Sequence, residues 1–346
     1  MKNVVVGKSG TLKCNVHLKF VRVLTMHLQV LLAHAMNKRP VSTNLIQLEN
    51  QVGHLIKDLN SKFFYKRPVF IVSTPRSGSN LLFEELSKID NIWTIGGECH
   101  NVFSEFPHLK FENKNQDSGC LSKSHADTQT SYYFKLAIFC LLRNNNNLRA
   151  FSSNSNNGTF VEKTPRNALN ISFLKEIFPQ AKFIYLFREP KQNVASIIEA
   201  WKIGLRTGRF VTYPNLSGWS KKDWCLLLPN NWRKMNSQSL AEISYFQWRE
   251  SNMKIINDFK DLPSSDWTSL EYKKLINKPY KSIKKILKFI SVDSQLDKNN
   301  YKSLKPSQTT VSKPNKNKWK KHKAEMKPFL NKMEKDFSKI NSFTKK

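Results

Sequence analysis

At 346 residues the chain can bury a large core, in one domain or at most two. A hydrophobic content of 39% with eight Trp excludes a disordered chain. Lys and Arg outnumber Asp and Glu 57 to 26, a net charge of +31 that favours anionic partners, although a Lys-biased solvated surface gives the same excess.

Residues 1–66 read as a helical N-terminal extension, with Leu45, Leu48, Val52, Leu55, Ile56 and Leu59 at helical spacing. The uncharged run Val23–Met36 is shorter than the ~18 apolar residues that argue for a membrane span. It reads as an amphipathic helix packed on the domain, in a cytoplasmic protein; the alternative is a membrane anchor through residues 20–36. Cys14, Cys99, Cys120, Cys140 and Cys225 form no C-x-x-C pair, which argues against a zinc or redox motif and for reduced thiols. Sequons at Asn157, Asn170 and Asn215 are too short a pattern to argue for secretion.

Val69 to Ser73 reads as a buried parallel strand. The polar turn Thr74-Pro75-Arg76-Ser77-Gly78-Ser79-Asn80 follows, and Ser79 or Asn80 is placed to cap a helix from Leu81. Such a turn aims backbone N–H groups and a helix N-terminus at one spot, which attracts an anion. Arg76 adds a fixed charge and a planar donor fork. An extended piece, Ile92 to Ile95, is broken by Gly96-Gly97, with Glu98 just past its end. Residues 111–127 read as irregular, Tyr133 to Leu142 as helix, and Leu148 to Phe151 as a loop over the site.

Thr159 to Glu162 reads as a strand ending in the turn Lys163-Thr164-Pro165-Arg166-Asn167, with a helix from Asn170 to Phe178. Ala181 to Phe187 is a strongly apolar strand, ending in Arg188-Glu189 with Pro190 at the first turn of the next helix. The segment 206–236 reads as a loop region or lid over an acceptor. Helices follow at Leu240 to Phe259 and through Ile283, Ile286, Leu287 and Ile290. A basic helix or tail closes the chain from Lys323.

Alternating strands and helices imply an α/β fold: three layers, a central mostly parallel sheet flanked by helices, P-loop NTPase-like. Ligands bind such sheets beyond the carboxyl ends of the strands. Arg76, Glu98, Lys163 and Arg188 all sit at such ends.

The segment Pro75-Arg76-Ser77-Gly78-Ser79-Asn80-Leu81-Leu82 resembles the phosphosulfate-binding loop of sulfotransferases that use 3′-phosphoadenosine 5′-phosphosulfate. Asn80 replaces the usual hydroxyl residue. Arg188, with Ser196 eight positions on, resembles the pair that binds the 3′-phosphate in that family. Glu162-Lys163-Thr164-Pro165 is similar to a turn of Golgi-type and bacterial members, which implies that Lys163 faces the transferring sulfuryl group. Gly96-Gly97-Glu98 is similar to the element that supplies the general base, implicating Glu98; His100 is the competing base. Ser312-Lys313-Pro314, with Trp319 downstream, is similar to the loop that closes on the nucleotide, which implies Lys313 and, more weakly, Ser312 as 3′-phosphate ligands. Ser269 to Leu275 resembles a late structural motif and reads as scaffold.

The resemblance spans Arg67 to His322 and implies a sulfotransferase domain over 67–322, between the extension and a C-terminal segment at 323–346. Thr74, Pro75, Arg76, Ser77, Gly78, Ser79 and Asn80 are the expected donor cradle, with Arg188, Ser196, Ser312 and Lys313 on the 3′-phosphate and Arg76, Lys163 and Glu98 at the reacting atoms. The expected donor is 3′-phosphoadenosine 5′-phosphosulfate, with no metal. The acceptor is a hydroxyl of a glycan (the basic surface favours an anionic one), lipid, small molecule or tyrosine. One alternative is a P-loop kinase, which lacks support because the G-x-x-x-x-G-K-S/T pattern is missing after the first strand. The other is a basic nucleic-acid-binding protein, for which no specific motif is present. Nothing in the sequence sets an oligomeric state.

Overall fold

Val69–Val72 (β1) is four consecutive apolar residues, all buried. A strand covered on both faces belongs inside a parallel sheet, and β1 lies at its centre. The computed structural model describes residues 67–111, 118–148, 150, 158–311 and 315–345. Its main sheet has the order β2-β3-β1-β4-β7, with β2 at Ile92–Trp93, β3 at Thr159–Glu162, β4 at Lys182–Phe187 and β7 at Trp267–Glu271. All four pairings are parallel; Val69 faces Val161 on one side and Lys182 on the other.

Successive side chains of a strand point to opposite faces, and here they sort by chemistry. Phe70, Val72, Phe183, Tyr185 and Phe187 enter one core, while Val69, Ile71, Ile184 and Leu186 enter the other. The aliphatic face is covered by Ser79–Ser87 (α1), Tyr272–Asn277 (α7) and Pro279–Ile290 (α8), through Leu82, Leu86, Leu275, Ile283 and Ile286. The aromatic face is covered by Thr128–Leu141 (α3), Ile171–Ile177 (α4), Pro190–Thr207 (α5) and Leu240–Lys260 (α6). The expected three-layer α/β architecture is therefore the observed one. A short helix, His100–Ser104 (α2), follows β2.

Two helix starts differ from expectation. α1 begins at Ser79, not Leu81, with Gly78 as N-cap and no side-chain cap. α3 begins at Thr128 because the Asp127 carboxylate accepts from Thr130 N at 2.7 Å, a cap that propensity alone does not reveal. Of the loop expected over the site, Leu148 and Ala150 are described and neither lines the cleft, while Arg149 lies outside the described residues. The loop backbone folds back on the end of α3, with Ala150 N donating to Leu142 O at 3.0 Å. Phe151 lies outside the described residues, as do the 1–66 extension, the 20–36 segment, Ser312 and Lys313.

The segment 206–236 is a packed unit rather than an open loop. Val211–Tyr213 (β5) and Trp224–Cys225 (β6) form an antiparallel pair. Trp201, Trp219, Trp224 and Trp232 pack ring against ring beneath it, with Trp224 4.7 Å from Trp219 and 5.2 Å from Trp201. Gly204 lets β6 press on α5: a Cβ there would stand 2.4 Å from Cys225 Sγ. The C-terminal helices Lys323–Met326 (α9) and Leu330–Thr344 (α10) bury Met326, Met333 and Ile340 in the aromatic-side core. Asp336 accepts from Tyr245 Oη at 2.8 Å and pairs with Arg249 at 3.2 Å. Among the described residues no helix is long and apolar enough to cross a membrane.

β1 leads to β2 on one side of itself, while β3 leads to β4 on the other. The crevice at the carboxyl ends of β1 and β3 is thus a topological switch point, where open α/β sheets bind ligands.

Candidate active site

Each strand of this crevice ends in a short turn that delivers one or two polar groups to a cavity of about 1750 Å³. Arg76, Glu98, Lys163, Arg188 and Ser196 all line it, with Pro75, Gly78, Ser79 and Asn80. The four expected strand-end charges therefore meet in one place. The volume exceeds the ~300–1000 Å³ of ordinary single-ligand pockets, so it has room for two reactants.

The turn after β1 is fixed from behind. Thr74 Oγ1 and Ser77 Oγ donate to Asn193 Oδ1 at 2.9 and 2.8 Å, and Asn193 Nδ2 donates to Pro75 O at 2.8 Å. All three side chains are buried, so Thr74 and Ser77 shape the loop with their side chains turned away from the cavity. Arg76 sits at φ 65° and Gly78 at φ 97°, the left-handed region. A Cβ on Gly78 would lie 2.3 Å from the Tyr272 ring, so only glycine fits under that ring. The result is an uncapped N-terminus of the nine-residue α1, whose first N–H groups have no intrahelical partner.

Arg188 is held over this loop. It donates to Arg76 O at 3.2 Å and Gln192 Oε1 at 3.1 Å, and its guanidinium lies 4.6 Å from the Tyr272 ring centre. Arg76 lies 5.3 Å from the Phe210 ring centre. The Nε atoms of both arginines are buried without a hydrogen-bond partner. Burial, then the charges of Arg209 and Arg188, pull the Arg76 pKa below the ordinary arginine value; burial does the same to Arg188. Cations that are crowded and part-buried beside open helix N–H groups are what an anion would relieve. Ser196, two turns along α5, faces the same space.

The turn after β3 carries the second cluster. Glu162 is buried and accepts from Thr164 Oγ1 and Asn167 Nδ2, which pins the turn; burial raises its pKa. Cys99 N donates to Thr164 Oγ1 at 2.6 Å, stitching the Glu98 segment to this turn. Lys163, 3% exposed, makes an ion pair with Glu98 Oε1, and His100 Nε2 lies 3.0 Å from Glu98 Oε2. Burial alone would raise the Glu98 pKa. The hydrogen bond with His100 and the Lys163 ammonium outweigh it and bring it down to about 2. Glu98 is therefore ionised at neutral pH, flanked by the two groups the sequence also singled out.

Several residues of the site and its support escaped the sequence reading. Asn193 and Tyr272 shape the loop; Tyr272 lies in the segment read as scaffold, and only the fold brings it under Arg188. Ser307 donates to Glu84 Oε1 at 2.6 Å and Thr309 accepts from Asn80 Nδ2, so the 307–309 strap crosses α1 and borders the cavity. Lys318, beyond Lys313, lines the cavity and pairs with Glu199. Arg166, in the turn Pro165–Leu169, lines the cavity with its guanidinium 4.0 Å from the Phe103 ring centre. Among the described residues no His/Cys/Asp/Glu group could hold a metal ion.

The chain is similar to several solved structures. A sulfotransferase domain from the curacin biosynthetic pathway is 16% identical with a TM-score of 0.39, covering 75% of this chain and 97% of that one. A sulfotransferase from Alicyclobacillus acidocaldarius is 13% identical with a TM-score of 0.44, covering 81% and 96%. A mouse sulfotransferase complexed with PAP is 14% identical with a TM-score of 0.42, covering 84% and 93%. No curated protein matches the chain. The sulfotransferase family profile, however, matches residues 68–296, from the residue before β1 to past the end of α8. That interval contains the 74–80 turn, the Lys163–Glu98 pair and Arg188 with α5, and the chain is a member of the sulfotransferase family.

Proposed function

We propose that the chain transfers a sulfuryl group from 3′-phosphoadenosine 5′-phosphosulfate to an acceptor hydroxyl. The observation that carries this reading is the arginine pair at the β1 and β4 ends, each with a buried, unpartnered Nε, beside an uncapped helix N-terminus. In this reading the 75–80 backbone and Arg76 hold the phosphosulfate, while Arg188 and Ser196 bind the 3′-phosphate. Lys313 and Ser312 remain candidates for that phosphate from the sequence resemblance.

The acceptor oxygen attacks sulfur as the bond from sulfur to the bridging phosphate oxygen breaks. The electron pair of that bond leaves on the phosphate, beside Lys163 and Arg76. Charge spreads over oxygens rather than onto the protein, so positioning and fixed cations carry most of the catalysis. Glu98 takes the acceptor proton. In the ion pair with Lys163 it is a weak base; when Lys163 turns to the leaving phosphate, Glu98 loses that partner and its basicity rises.

Calorimetry with 3′-phosphoadenosine 5′-phosphate against ATP tests the donor. Preference for the former by the chain, reduced at least ~10-fold in Arg188→Ala, is expected. Preference for ATP sinks the reading. For the base, Glu98→Gln lowers the transfer rate by roughly 10²–10⁴ with donor affinity retained. If His100→Asn has that effect and Glu98→Gln does not, the base is His100.

A further inference from the structure

Away from the arginine pair, the cavity changes character. Its lining there includes the apolar residues Phe103, Leu109, Phe111, Leu169, Val211 and Leu228. Arg166 stands beside this apolar wall. The Arg166 guanidinium lies 4.0 Å from the centre of the buried Phe103 ring. Arg166 has neither a carboxylate partner nor a hydrogen-bond acceptor among the described residues, unlike Arg188, which the loop carbonyl and Gln192 hold. Burial lowers its pKa, as expected for a guanidinium removed from water without a counter-charge. A planar donor fork stacked on an aromatic ring is pre-organised for a carboxylate or sulfate. Lys110, on the same rim, adds to the local positive charge.

Arg166 is three residues from Lys163, in the same Glu162-pinned turn. An anion on Arg166 is thus held at a fixed offset from the Glu98–Lys163 pair. We propose that Arg166 is the acceptor anchor, and that the acceptor is a small alcohol or phenol with an apolar body and an acidic substituent. The apolar wall disfavours a sulfated oligosaccharide, whose hydroxyls it leaves without partners. This proposal rests on the sulfuryl-transfer reading, because only that reading makes this half the acceptor side.

The test is calorimetric, with 3′-phosphoadenosine 5′-phosphate bound. The probes are hydroxyaryl carboxylic acids with one to four methylenes between ring and acid, their carboxamides, and a sulfated disaccharide. The best acid is expected to bind about 10- to 100-fold more tightly than its amide, the range of a charge-assisted hydrogen bond. Arg166→Gln abolishes that ratio and Arg166→Lys keeps part of it, with nucleotide affinity and Tm near the parent protein. Equal binding of acid and amide, binding of neither, a ratio unchanged in Arg166→Gln, or preference for the disaccharide overturns the proposal. Should Arg166→Gln fail to fold, the parent ratio and Arg166→Lys still decide. If the protein ignores the nucleotide yet keeps an Arg166-dependent acid preference, the donor assignment fails and the Arg166 site stands.

Discussion

The two halves of the cavity are built by different physics. The half with the Arg76–Arg188 pair is centred on one short turn, Thr74 to Asn80, which buried hydrogen bonds to Asn193 lock. The opposite half is assembled from distant segments, with Phe103, Phe111 and the β5–β6 unit held by a tryptophan cluster. The first is rigid because its polar groups are satisfied behind it; the second is shaped by ring packing, which tolerates substitution of lining residues. On the proposed assignment of donor to the first half and acceptor to the second, the acceptor can change by rebuilding the second half alone.

The most severe way to break this division is Trp224→Ala. Trp224 is fully buried, touches Trp201, Trp219 and Trp232, and donates to Leu227 O at 2.7 Å. Its loss costs about 3–5 kcal/mol, read as a lower Tm, and collapses the acceptor wall. If the halves are separable, affinity for 3′-phosphoadenosine 5′-phosphate at low temperature stays within about threefold while transfer is lost; parallel loss of both shows a single cooperative site.

Next in size is Lys163→Ala, which acts where the halves meet. If Lys163 serves the leaving oxygen as proposed, removing this preorganised cation lowers kcat by on the order of 10²–10³, with nucleotide affinity little changed. A fall in affinity with unchanged kcat would make Lys163 a binding group of the donor half alone.

Within the donor half, Gly78→Ala should cost about 1–3 kcal/mol, since φ 97° and a ring 2.3 Å from the new Cβ both oppose it. Pairing it with Tyr272→Ala separates the two terms. The ring clash disappears in the double variant and the φ strain remains, so urea denaturation should show partial rescue. Full additivity would mean that Tyr272 does not set the loop.

These contrasts explain what was legible from the sequence. Apolar runs ending in Arg76, Lys163 and Arg188 announce strands and their carboxyl ends, because strand burial and turn chemistry are local. Thr74 and Ser77 belong to the same motif, yet their hydroxyls face Asn193; spacing places a residue in a turn but does not say which way it points. Tyr272 and Arg166 were unreadable as site residues. One needs β7 to pair with β4, and the other needs Phe103 to arrive from another segment. In 206–236, Gly, Pro and Asn mark turns and predict a loop region or lid, whereas its tryptophans pair only in three dimensions.

The smallest effect concerns Glu98, at the seam. Its carboxyl ordinarily titrates near 4.5 and is brought down to about 2 in the fold. A depressed folded-state pKa adds stability that is fully present above the unfolded value and is lost as pH falls from about 4.5 towards 2. Glu98→Gln should therefore flatten the acid limb of the Tm–pH curve in that window and leave the neutral region parallel to the parent. The effect is small because the carboxylate is 32% exposed and solvent screens both partners. In the transfer reaction the same group gives no acid limb above pH 4 while it rests against Lys163 and His100. An acid limb that moves to higher pH when the nucleotide binds, and that Lys163→Ala shows with or without nucleotide, would show that Lys163 sets the basicity of Glu98 across the boundary between the two halves.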